Sequence, residues 1–374
     1  MSKNYDNWER LVRATLLREE LRRLCREDSL SSSSSSSFSS SFSSDYSRSF
    51  HEPDFSSPSI HGIPSFSHRQ IIRATKNFSK QNLITRGHSG DLFLGELSEP
   101  IVIKKIGFYN RLAFSSEIAF FSSLDSHSHP RFVPLLGHCS EDEREKFLVY
   151  RYFPRRDLTN SFYLKTDGDD VDELRTLDWI TRSKIARGVA EGLAYLHHEC
   201  NPPLVHGDVR ASSILVDDKF EVRLGSLSHI SAERVLKDKS RLTWRTTKKA
   251  TSGKATKETC AYDVYCFGKV LLELLTGNLR ISSAEDTNLK EILEITLLNI
   301  STFNKELVAN IVDPSLIIGP DHLDEAWAVA IVAKACLNPV PIKRPIMRHV
   351  LKALEDPFSV EMDEKSERLE TNPS

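Results

Sequence analysis

The chain has 374 residues, of which 39% are apolar and 27% charged, with a formal net charge of -2. That length and apolar fraction suffice for one large two-lobed domain with a sizeable core. The near balance of charge excludes a global basic surface for nucleic acid or an anionic membrane, so any charge-driven partner is addressed locally.

Residues 1–28 carry Trp8, Leu11, Val12, Leu17, Leu21 and Leu24 close to the spacing of one helical face, among many Arg and Glu. The pattern predicts a short amphipathic helix. Its mixed charges leave two uses open: docking to a partner or packing on the chain's own domain. Residues 29–65 are dominated by serine with isolated Phe38, Phe42, Phe50 and Phe55. So polar a stretch buries too little to offset the entropy of ordering, and a disordered linker is expected. The start Met-Ser-Lys-Asn-Tyr has neither an apolar signal core nor a second-position glycine, and no window approaches the ~18 apolar residues of a membrane helix. A cytoplasmic protein is expected, reaching the inner face of the plasma membrane only through partners or through acylation of Cys25.

From residue 66 to 356 the periodicity changes halfway. Short apolar runs at Leu92 to Leu94, Ile101 to Ile103 and Phe147 to Tyr150 read as strands, with one helical stretch around Arg111 to Leu124. Then come helical patterns at Trp179 to His197, Tyr262 to Leu275, Leu289 to Leu298 and Glu325 to Cys336. The fold class is therefore α+β. A small antiparallel-sheet lobe (66–151) precedes a larger, mainly helical lobe (152–356), with room for a nucleotide between them. Residues 357–374 are polar and mostly acidic, a disordered tail. The six cysteines (Cys25, Cys139, Cys200, Cys260, Cys266, Cys336) form no C-x-x-C pair. That fits buried free thiols in a reducing compartment better than a disulfide or zinc framework.

The run Phe66-Ser-His-Arg-Gln-Ile-Ile-Arg-Ala-Thr-Lys-Asn-Phe78 resembles the lead-in of plant receptor-like kinases. The same pattern recurs in order through Leu177-Asp-Trp179, Ile185 to His197, Pro202-Pro-Leu-Val-His206, Asp263-Val-Tyr-Cys-Phe-Gly268, Leu271-Leu-Glu-Leu-Leu-Thr-Gly277 and Arg344-Pro345. The chain is identified by resemblance as a protein-kinase-like, bilobal member of the receptor-like kinase/Pelle family, of the receptor-like cytoplasmic type.

What the resemblance implies is tested position by position, because phosphotransfer needs particular groups rather than a fold. In Thr85-Arg-Gly87-His-Ser-Gly90 two of three phosphate-loop glycines remain, with Thr85 in place of the first. A hairpin turn with no ligand is the alternative. Lys104 in Ile101-Val-Ile-Lys104 matches the phosphate-binding lysine and Glu117 its ion-pair partner; a purely structural salt bridge explains the pair equally well. Leu92, Val102 and Leu215 would line an adenine pocket with Tyr150 at its back, while Arg151 replaces the usual acidic hinge residue.

The loop His206-Gly-Asp208-Val-Arg210-Ala-Ser-Ser213 keeps Asp208, the candidate base. Gly207 replaces an arginine, Arg210 a lysine, and Ser213 the asparagine that binds magnesium. Ser226-Leu227-Ser228 stands where the family has Asp-Phe-Gly, so Ser226 replaces the principal metal carboxylate, and a neutral hydroxyl supplies neither charge nor anionic oxygen. Metal: none; cofactor: none required, with room for weak ATP binding without Mg²⁺.

The resemblance thus implies a pseudokinase, not an enzyme: an adaptor, decoy or scaffold for receptor kinases or immune-receptor complexes, without nucleic acid. The alternative is a weakly active serine/threonine kinase using Asp208. No Ala-Pro-Glu follows Ser228. Instead a basic stretch, Lys237 to Lys257, offers a receiver for an acidic or phosphorylated partner, or a solvated loop. Arg344, the usual partner of that missing Glu, needs another acceptor.

Overall fold

β1 (Leu83–Gly87) and β2 (Gly90–Glu96) turn on two residues, His88 and Ser89, because Gly87 pairs with Gly90 across the hairpin. At Gly90 φ is +145°, and a Cβ there would lie 2.6 Å from the Lys105 carbonyl oxygen. Only glycine lets β2 approach its neighbour so closely. β3 (Pro100–Gly107), β4 (Leu135–Cys139) and β5 (Glu145–Arg151) complete an antiparallel five-stranded sheet of order β1-β2-β3-β5-β4. The structure is a computed structural model that describes residues 62–355 apart from 125–128, 143, 156, 165–174, 234–258, 285 and 317–318.

Side chains alternate across this sheet with the strand period of two. Ile101, Ile103, Phe147 and Val149 face helix α1 (His68–Ala74), which buries Ile71 and Ala74 against them. Ile106, Leu148 and Tyr150 face the main core, where α2 (Arg111–Ser123) contributes Phe114, Ile118 and Phe121. α1 starts at a reciprocal cap in which Ser67 and Gln70 satisfy each other's backbone amides.

The packed chain begins before residue 66, which corrects the predicted end of the linker. Ile63 is 1% exposed, and Pro64 and Phe66 exchange backbone hydrogen bonds with His138 at 3.0 and 2.7 Å. One apolar residue in a serine-rich surround carries too little sequence signal for this. The expected helix over 1–28, the rest of the linker, the basic stretch and the tail over 357–374 lie outside the described residues.

The larger lobe is built on α3 (Trp179–His198) and α4 (Cys260–Thr276), joined by α5 (Asp286–Leu298), α6 (Pro320–Cys336) and α7 (Met347–Glu355). α4 is buried along nearly its whole length and ends at Gly277 in the left-handed conformation (φ 72°), packed against Asp313. Two short strands, β6 (Ile214–Val216) and β7 (Val222–Leu224), pair antiparallel and lie on α3. Cys139, Cys266 and Cys336 are buried free thiols, and Cys200 and Cys260 are half-buried. Among the described residues, no helix is long and apolar enough to cross a membrane.

Candidate functional site

The sheet register brings several of the expected pocket residues together. Leu92 on β2 stands opposite Lys104 on β3, and Val102 opposite Tyr150 on β5. Val102 and Leu215, the latter on β6, pack against the same main core. Gly87 and Gly90 close the tight turn between β1 and β2. The backbone amide of the hinge residue Arg151 donates to the Pro134 carbonyl at 3.1 Å, and its side chain is exposed.

Lys104 (5% exposed) meets Glu117 (2% exposed) at 2.5 Å. Two further groups hold that carboxylate. The Tyr150 hydroxyl donates to Oε2, and Ser228 Oγ donates to Oε1 at 2.7 Å while accepting from Lys104 Nζ. A buried charge needs such company, since an unpaired one costs far more than the pair gains. Sequence reasoning assigned Ser228 only as a lost glycine. The available signal was that a residue with a hydroxyl stands where the family has one with no side chain to hydrogen-bond.

The loop beneath is pinned by Asp263 at the start of α4. Its Oδ2 accepts from the His206 amide at 2.7 Å and its Oδ1 from the Gly207 amide at 2.9 Å, while His197 Nε2 donates to Oδ2 at 3.0 Å. His206 is fully buried, and burial lowers its pKa. Its Nε2 donates to the Gly225 carbonyl (2.9 Å) and its Nδ1 accepts from the Asp208 amide (3.2 Å), which requires the neutral Nε2–H tautomer. Gly207 has φ +77°, and a Cβ there would sit 3.0 Å from that of His229. The backbone at Gly207 thus takes a shape that side chains rarely adopt.

Asp208 is partly exposed and accepts from Arg210 Nη2 at 3.0 Å. The carboxylate thus has a permanent positive charge beside it.

Ser213 and Ser226, the positions the family resemblance marks as lost metal ligands, differ. Ser213 is 1% exposed, and its hydroxyl is engaged within its own turn, donating to the Arg210 carbonyl (2.8 Å) and accepting from the Arg210 amide (3.0 Å). Ser226 is exposed in the left-handed region, φ 57° and ψ 41°. Leu227 turns inward (1% exposed) into the core that holds Phe121. Mg²⁺ is held chiefly by carboxylate and phosphate oxygens. One hydroxyl spent on its own backbone and one neutral exposed hydroxyl do not fit it.

Arg344 has found other acceptors. Nε donates to the Asn338 carbonyl at 2.8 Å and Nη1 to the Ala261 carbonyl at 2.7 Å, and the guanidinium lies over the Tyr265 ring, 4.7 Å from its centroid.

A family model described as protein tyrosine and serine/threonine kinase matches residues 78–354. The chain is 51% identical over 323 residues to a probable LRR receptor-like serine/threonine-protein kinase of Arabidopsis thaliana, covering 83% of this chain and 35% of that protein. It is 31% identical over 310 residues to the probable serine/threonine-protein kinase PBL21 of the same plant (79% and 76%). To the proline-rich receptor-like protein kinase PERK2, also of Arabidopsis thaliana, it is 33% identical over 310 residues (79% and 41%). The chain thus spans about a third of the LRR receptor-like relative and three quarters of PBL21.

These findings overturn the expectation that the chain is not an enzyme, because its relatives are named serine/threonine-protein kinases. The expectation failed by treating one contribution as the whole. Metal charge stabilisation is worth several kcal/mol, but positioning of the reacting groups by a protein also lowers a phosphotransfer barrier.

Proposed function

The chain belongs to the protein kinase family, and on that premise we propose that it is a slow serine/threonine kinase in which Asp208 orients the substrate hydroxyl. The observation that carries this reading is the placement of Asp208 on a loop held through both oxygens of Asp263, below a complete Lys104–Glu117 pair. In phosphoryl transfer the protein contributes mostly positioning and electrostatics. Asp208 accepts the hydroxyl proton of the attacking serine or threonine. Arg210 places positive charge beside the transferring phosphate, and Lys104 holds the inner phosphates. The amides around Gly87 and Gly90 approach the same phosphates, and Leu92, Val102, Leu215 and Tyr150 enclose the adenine.

Magnesium supplies charge neutralisation to relatives of this kind, but the neutral hydroxyls of Ser213 and Ser226 do not recruit it here. ATP binding that does not depend on the metal follows from that. The protein partners are proposed to be receptor kinases or immune-receptor complexes met in the cytoplasm, by analogy with receptor-like relatives.

The test is radiolabelled phosphotransfer from ATP to a serine-containing protein substrate by the purified full chain and by Asp208→Ala. The proposal expects the variant to lose at least ~100-fold, the usual scale of a general base. Equal rates for the two would remove Asp208 from the chemistry.

A further inference from the structure

The geometry points to Ser228 as a positioning residue that keeps α2 docked, and Lys104 ready for phosphate, before any nucleotide arrives. Three elements converge on the Glu117 carboxylate: Lys104 from β3, Tyr150 from β5 and Ser228 from the turn after β7. All four residues are buried, Ser228 at 9% exposure being the most open. The serine hydroxyl is fully used, accepting from Lys104 Nζ and donating to Glu117 Oε1. Among the described residues it is thus the group that touches both members of the ion pair, and it belongs to the turn carrying Ser226.

Glycine in that place would leave the Glu117 carboxylate held only from the sheet, by Lys104 and Tyr150. With serine, swinging α2 outward breaks a charge-assisted hydrogen bond to a desolvated carboxylate, in addition to taking Glu117 away from Lys104. A kinase site whose α2 is held in place without ligand avoids the loss of apparent affinity that falls on a partly populated competent state. This inference rests on the phosphotransfer reading for its kinetic consequence, but not for its structural one.

Amide hydrogen exchange of the nucleotide-free full chain tests it. Ser228→Ala is expected to raise exchange across residues 111–123 by about tenfold or more, the scale of one hydrogen bond to a charged group, while α4 is unchanged. Ser228→Thr, which keeps the hydroxyl, is expected to stay within about threefold of native on the same scale. In phosphotransfer, Ser228→Ala raises the KM for ATP and leaves kcat near native, because saturating nucleotide restores the docked state. Native exchange in Ser228→Ala, or equal loosening in Ala and Thr variants, would overturn the inference with the phosphotransfer reading untouched. Absent phosphotransfer in the native chain would instead remove that reading, and the exchange result would still decide the role of Ser228.

Discussion

At Ser226 the backbone has a shape that aspartate and asparagine adopt more readily than most residues, left-handed and exposed. Ser226→Asp therefore needs no rearrangement, and restores the hard anionic oxygen that the site lacks. We expect it to raise phosphotransfer at least ~10-fold and to make the rate depend steeply on magnesium, since several kcal/mol are at stake; an unchanged rate would mean that metal ligation does not limit this chain. Ser213 is a poorer place to begin, because its hydroxyl caps its own turn.

These substitutions were legible in the sequence as departures from a motif. The role of Ser228 was not, because it depends on which side chains meet over a separation of more than a hundred residues.

A second single-residue effect belongs to Glu273 on α4. Its side chain is wholly buried, with Oε1 accepting from the Ser282 amide at 2.7 Å and no partner for Oε2 among the described residues. Burial raises its pKa to about 7 from the ordinary 4.5. A raised folded-state pKa contributes stability that is full below pH 4.5 and lost as pH climbs to about 7. His198 acts in the opposite sense. Burial and then His197 lower its pKa to about 4, so its contribution is present above the ordinary histidine range and lost as pH falls. Glu273→Gln isolates the first group. Relative to native it should gain about 3 kcal/mol between pH 4.5 and 7.5 in denaturant unfolding; parallel pH profiles would mean that the carboxylate is not protonated in the fold.

At the scale of elements, long periodic segments were the most readable. β2, β3, β5, α2, α3, α4, α5 and α6 all fall where apolar spacing put them. β4, β6 and β7 are short, and α1 spans only seven residues fixed by a reciprocal cap, so none carries enough period to stand out. The glycine turn shows the other limit of motif reading. Gly90 matches a phosphate loop, yet the nearness of the Lys105 carbonyl requires glycine there with or without nucleotide. Gly90→Ala combines that clash with a strained φ and is expected to destabilise the chain by about 1–3 kcal/mol in nucleotide-free urea unfolding. Unchanged stability would leave phosphate approach as the only reason for the glycine.

At the scale of the whole molecule, the resemblance gave the two-lobed architecture and the order of its parts, and the matched family bears out that fold. The error lay in reasoning from missing ligands to a missing activity. Two buried networks are intact: Asp263 fixes the lower loop, and the Lys104–Glu117–Tyr150–Ser228 network links α2 to the sheet. On the proposed reading, a chain so arranged would keep the positioning share of catalysis and forgo part of the electrostatic share.

The most direct measurement compares phosphotransfer rates of the native chain, Lys104→Met and Asp208→Asn in one assay, with magnesium and with chelator. The account predicts a slow native rate that falls only modestly on chelation and drops to background in both variants. A native rate that survives either substitution would contradict it.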